Sequence, residues 1–239
     1  MEAFNVDFYT GSKEELLTQT LPACEQPFSY IVTPNVNHIV QLEHDQNLTR
    51  AYAMASHRIC DSRVLLPILR LFEVKPAEAI PGSTLTGDLM EIAAARQWTV
   101  TVVGCEAENM ALLRGKYPSI TFNHTYPPMG FIKDESAVQR CLDFVVTHPA
   151  QLVVFALGCP TQEILASRVL ETGQAMGVGL CVGGSLNFLA GSVKRAPEWM
   201  QNLSLEWLHR IGAEPQRLLG RYVHDARYFI PILIKHLRT

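Results

Sequence analysis

The strongest constraint on this chain is an alternation. Five short runs, "FSYIVTP", "WTVTVVG", "SITFNH", "QLVVFALG" and "VGLCVGG", are apolar with little of the period-two polarity of a half-exposed strand. Runs of that length and character fit strands covered on both faces. Between them fall stretches with helical spacing: "HIVQLEHDQNLTRAYAMAS", "TLTGDLMEIAAARQ", "EAENMALLRGKY", "ESAVQRCLDFVVTH" and "TQEILASRVLETG". Strand, helix, strand, helix predicts an α/β fold on a mainly parallel, Rossmann-like sheet flanked by helices. The 239 residues can bury a full core, and the reading divides them into an α/β body, 1–193, and a helical C-terminal appendage, 194–239.

Charge supports that division. Residues 1–193 carry 12 Lys/Arg against 19 Asp/Glu, and residues 194–239 carry 8 against 4. A basic tail on an acidic body suits an anionic partner such as a nucleotide, a phosphate or a lipid surface, and gives no reason to expect nucleic acid. On charge alone, a solvated helix face is the simpler account. No apolar run approaches the roughly 20 residues of a membrane-spanning helix. The opening "MEAFNVDFYTGSKEELL" lacks the basic-then-apolar layout of a signal peptide. Six scattered cysteines without a C-x-x-C pair read as reduced thiols in a cytoplasmic protein.

The strand ends carry the chemistry. "VVGCEAEN" closes on Gly104, "ALGCPTQE" on Gly158, and "CVGGSLNF" on Gly183 and Gly184 with Asn187 just beyond. In open parallel sheets ligands bind outside the carboxyl ends of the strands, where glycine lets backbone amides approach a phosphate. Tight strand-to-helix turns need glycine in any case, so each is weak alone; three in one sheet point to a phosphate-bearing ligand. No G-x-G-x-x-G follows the first strand and no P-loop occurs, which disfavours dinucleotide dehydrogenases, nucleotide-sugar epimerases and P-loop enzymes. "VTPNVNHIV" sets Thr33 and Asn35 at the end of the first strand, and "HRICDSRVLLPIL" sets Asp61 before a helix. By themselves Thr33 reads as a turn residue and Asp61 as a helix cap.

The ordered set "TPN", "CDSRVL", "PGSTLT", "PPMGF", "GCPTQE", "VGGSLNF", "AGSVKRAPEWMQ" and "LEWLHRIGAEPQRLLGRY" resembles the WecG/TagA/CpsF glycosyltransferases, glycosyltransferase family 26, over roughly residues 30–225. The run K-R-A-P-x-W, then L-E-W-L-x-R and E-P-x-R, carries the resemblance most specifically. It implies inverting transfer of a sugar from a UDP-sugar to a polyprenyl-diphosphate-linked saccharide in bacterial surface-polymer synthesis. It also implies a C-terminal appendage that closes the site and reaches the inner face of the membrane, making the protein peripheral there. Carried over by motif, the catalytic aspartate falls on Asp61, the sugar-pocket residues on Thr33, Asn35 and Gln162, and the phosphate-binding arginines on Arg210, Arg217 and Arg221. Asp61-Ser62-Arg63 replaces the D-G of many members, and Gly220 stands where many have a second basic residue. With "TPNVNH" and "PPMGF", the chain looks like the exopolysaccharide branch. The donor stays open between glucose, acetamidomannose and another hexose, and self-association stays open too.

An inverting transfer needs a base for the acceptor hydroxyl, and a carboxylate in hydrogen-bond reach can serve. The departing UDP needs neutralising charge. With no D-x-D pair and no ligand spacing among the eight histidines, arginines are expected to supply it without a metal or other cofactor. A non-catalytic nucleotide-sugar-binding protein is the rival expectation.

Overall fold

The computed structural model describes residues 2–197, 199–200, 205–213 and 215–238, with the side chains of Ala213 and Arg217 left out of that description. Six strands form one parallel sheet: β3 (Ser29–Val32), β4 (His57–Arg58), β5 (Thr99–Gly104), β6 (Thr121–Thr125), β7 (Leu152–Ala156) and β8 (Val178–Cys181), in the order β4-β3-β8-β7-β5-β6. The expected α/β architecture with a mainly parallel sheet is therefore present. The sequence runs mark five of these strands. The sixth, β4, is a two-residue edge strand too short to leave a periodic signal.

Both faces of the sheet are covered, which explains the unalternating strands. Along β3, Tyr30 and Val32 join one core cluster and Ile31 the other. Along β7, Val153 and Phe155 lie on the first side, Leu152 and Val154 on the second. Successive side chains point to opposite faces, and both faces are apolar because both are buried. The first cluster takes in residues of α2 (Val36–Leu42), α3 (Gln46–Met54), α4 (Leu65–Leu71), α7 (Glu135–Thr147) and α8 (Thr161–Glu171). The second takes in residues of α1 (Lys13–Ala23), α5 (Gly82–Ala95), α6 (Ala107–Lys116) and α9 (Ser185–Ala190).

Local chemistry sets the element ends. The stretch read as one helix over 38–56 is two, because Asp45 accepts from Asn47 N and Leu48 N and so starts α3 afresh. Ser12 and Glu15 form a reciprocal capping box on α1. At the N-terminal end, β1 (Glu2–Ala3) and β2 (Val6–Asp7) pair antiparallel around Phe4 and Asn5, both at positive φ. Phe4 is buried there, with its ring against Phe72, Phe229 and His236.

The tail is helical where described: α10 (Glu206–Ala213) and α11 (Pro215–Leu237). Helix α11 lies against the body rather than apart from it. Leu218, Phe229 and Ile232 are buried. Asn37 Nδ2 donates to the buried Asp225 at 2.8 Å, and Lys235 and His236 both reach Glu43, at 3.0 and 3.3 Å. Among the described residues no helix is long and apolar enough to cross a membrane.

Gly104 ends β5 at φ +96°, and a Cβ there would lie 2.5 Å from the backbone oxygen of Ala156. Gly104→Ala is expected to cost at least about 2 kcal/mol and lower Tm by several degrees. Gly115, in α6 with no atom near its would-be Cβ, serves as control. Gly115→Ala should be neutral or stabilising by up to about 1 kcal/mol in the same thermal melts.

Candidate functional site

A cleft of about 1240 Å³ opens at the carboxyl edge of the sheet. A parallel sheet ends all its strands on one side, so the polar residues that follow them gather there. Thr33 and Asn35 follow β3, Asp61 follows β4, Gly158 and Gln162 follow β7, and Gly183, Gly184 and Asn187 follow β8; all line the cleft, as do Arg210 and Arg221 from the tail helices. Gly104 is not among the lining residues, since its lack of a side chain serves the close approach to β7. The Arg217 side chain lies outside the described residues.

Asp61 sits on the cleft wall. Its main chain follows the neighbouring strand outward, with Ile59 N bonded to Val32 O and Asp61 N to Pro34 O. The turn leading into α4 is held by Ser62, whose Oγ accepts from Val64 N and Leu65 N. Asp61 instead accepts from Gly82 N at 2.5 Å, the first residue of α5. It thus caps a helix 21 residues on, where the N-terminal partial charge favours an anion. Burial raises its carboxyl above the usual range, against the Gly82 N–H, the Arg210 charge and an Asn35 hydrogen bond, while Glu206 adds to the rise. A partly buried carboxyl tuned upward within the field of an arginine is suited to taking a proton.

The remaining polar residues are tightly bonded. Asn35 caps α2, accepting from Asn37 N and His38 N. Thr33 Oγ1 donates to Cys181 O at 2.9 Å, pinning β3 to β8. Asn187 Oδ1 accepts from the buried Asn109 at 3.1 Å. Gln162 borders the cleft with its amide already occupied. Its Oε1 accepts from Gly158 N (3.1 Å) and Gly183 N (2.8 Å), and its Nε2 donates to Glu163 Oε1 (2.8 Å). Arg210 lies over the Phe188 ring and Arg221 over Tyr222.

Among the cleft residues that the sequence did not mark are Asn109, Glu206 and Asp225. Asn109 stands in the quoted "CEAEN", where only its position after a strand could have marked it. Glu206 and Asp225 are acids within a basic tail, and nothing local separates them from solvated neighbours.

The donor atoms of His38, Cys159 and Glu163 lie within 4.8 Å of one another and could hold a cation. Sequence spacing could not show this, since the three come from α2, the β7–α8 turn and α8. His38 Nδ1 already has a partner in the Tyr52 hydroxyl at 2.7 Å. Burial depresses His38 to about 3 and raises Glu163 to about 7.

A family model described as the glycosyl transferase WecG/TagA/CpsF family matches residues 1–239, and the chain belongs to that family.

His38 and Glu163 oppose each other in their effect on stability. Glu163, raised from 4.5 to about 7, contributes stability that is complete below 4.5 and lost as pH rises through 7. His38, lowered from 6.5 to about 3, contributes stability that is complete above 6.5 and lost as pH falls toward 3. Between pH 4.5 and 6.5 the two slopes cancel. Glu163→Gln removes one of them, so its stability relative to the wild type should rise with pH by up to about 1.4 kcal/mol per unit. Urea unfolding of both proteins at pH 5, 6 and 7 checks this; a difference independent of pH refutes it.

Proposed function

Taking membership of this glycosyltransferase family as premise, we propose that the chain is an inverting enzyme that uses a UDP-sugar. The acceptor is a polyprenyl-diphosphate-linked saccharide in bacterial surface-polymer or exopolysaccharide synthesis. The observation that carries the reading is Asp61, a carboxyl raised by burial on the cleft wall and within the field of Arg210. In this reading Asp61 takes the proton of the acceptor hydroxyl as its oxygen attacks the anomeric carbon, and the bond to the UDP oxygen breaks on the opposite face. The charge growing on the departing diphosphate is met by Arg210 and Arg221, guanidinium groups that bind phosphate in a fixed fork. The glycine turns after β7 and β8 let the diphosphate approach the backbone closely, their Gly158 and Gly183 N–H groups being held by Gln162. The reaction then needs no metal.

The cleft is larger than most single-ligand pockets, which supports room for donor and acceptor together. The acceptor's lipid would keep the enzyme at the inner membrane face. Helix α11 supports that placement: Leu219, Val223, Ile230 and Ile234 are exposed along a basic tail, as an interfacial helix requires.

The test is UDP release from a panel of UDP-sugars offered with short-chain polyprenyl-diphosphate saccharides. Asp61→Asn should lose about 10²–10⁴ in rate with an unchanged Tm. In a nucleotide-sugar binder without chemistry Asp61 would only cap α5, and asparagine would serve almost as well. Turnover should persist in excess EDTA; its abolition, with rescue by magnesium or manganese, overturns metal-free transfer. Val223→Glu with Ile234→Glu, both exposed on α11 and outside the cleft lining, should weaken binding to anionic vesicles while leaving turnover of a water-soluble acceptor intact. Undiminished vesicle binding removes the membrane role of α11.

A further inference from the structure

Glu163 enters none of the steps above, yet it is fully buried at the start of α8. Its Oε1 accepts from Gln162 Nε2. An acceptor at that place obliges Gln162 to present its amino group, which turns the carbonyl oxygen the opposite way. There that one oxygen receives both Gly158 N and Gly183 N. A reversed amide would set its amino group against these two N–H donors and leave them buried without an acceptor. The two glycines sit at φ +90° and +52°, directly after neighbouring strands β7 and β8. Their turns run so close that a Cβ on Gly183 would lie 3.9 Å from the Gly158 Cα.

We infer that Glu163 is a positioning residue that fixes the Gln162 amide and so ties the glycine turns after β7 and β8 into one floor for the donor diphosphate. The diphosphate part rests on the function proposed above; the tie between the turns does not. The groups around the carboxyl are His38 and Tyr52 from α2 and α3, Cys159 from the turn and Cys181 from β8. The Cys159 thiol interacts with the carboxyl as a weak donor, and Oε2 is buried without a geometric hydrogen-bond partner. A proton taken up by Glu163 can therefore sit on Oε2 and leave Oε1 accepting from Gln162. The tie holds in both protonation states.

The experiment uses the full chain labelled with ¹⁵N. In Glu163→Leu the amides of Gly158 and Gly183 should exchange about 3–10-fold faster, the measure of one lost hydrogen bond, with β5 amides unchanged. UDP should bind more weakly by a similar factor. Glu163→Gln, whose carbonyl can still accept, should restore both. Unchanged exchange in Glu163→Leu, or equal damage from both variants, overturns the inference. Should the leucine variant fail to fold, Glu163→Ala carries the same comparison of Gly158 and Gly183 exchange and of UDP binding against Glu163→Gln, and unchanged exchange there overturns the inference. Failure of wild-type UDP binding would strike the diphosphate reading instead, leaving the exchange result to decide whether Glu163 sets Gln162.

Discussion

Everything in this molecule depends on a parallel sheet buried on both faces. Two apolar layers lead the central strands to carry mostly apolar residues, so little chemistry can reside within them. It is displaced to the strand ends, and parallel pairing collects those ends on a single edge. Thr33, Asp61, Gly158 and Gly183 are far apart in sequence and share one cleft for this reason alone. The sheet thus decides where a site can be before any residue decides what it does.

At that edge the polar groups are largely spent on one another. Thr33 holds β8, Gln162 joins β7 to β8, Asn35 caps α2, and Asn109 meets Asn187. Such a network keeps donors and acceptors at fixed positions at little further entropic cost when a ligand arrives. The cationic groups come from elsewhere. Arg210 and Arg221 stand on tail helices held to the body by Asn37–Asp225 and by Glu43 with Lys235 and His236.

The sheet was legible in the sequence because continuous apolar runs have few other uses, and the glycine-turn residues of the cleft were legible because they follow those runs, whereas Asp61, after the two-residue β4, and the tail arginines were marked by the family resemblance. Other elements were hidden for physical reasons. Phe4 and Asn5 make a tight hairpin turn, but phenylalanine at positive φ is not a turn signal; its ring is held by packing on Phe72 and Phe229. The break before α3 was written in Asp45, and the start of α1 in Ser12 and Glu15, so both caps could have been read. Glu163 is the instructive residue. A charged side chain early in a helix suggests solvent, yet it lies three residues before the buried Ala166, on the same helical face. The periodicity indicated burial where the residue type did not.

Asp61 binds the first amide of α5 across 21 residues of chain. That contact gives the carboxylate two dependants, the proton it can accept and the helix end it holds. A neutral acid is a weaker acceptor than a carboxylate. A protonated Asp61 therefore holds the Gly82 amide less strongly than an ionised one. Through that one bond the cleft wall is joined to a 14-residue helix whose Leu85, Leu89 and Met90 sit in the second core.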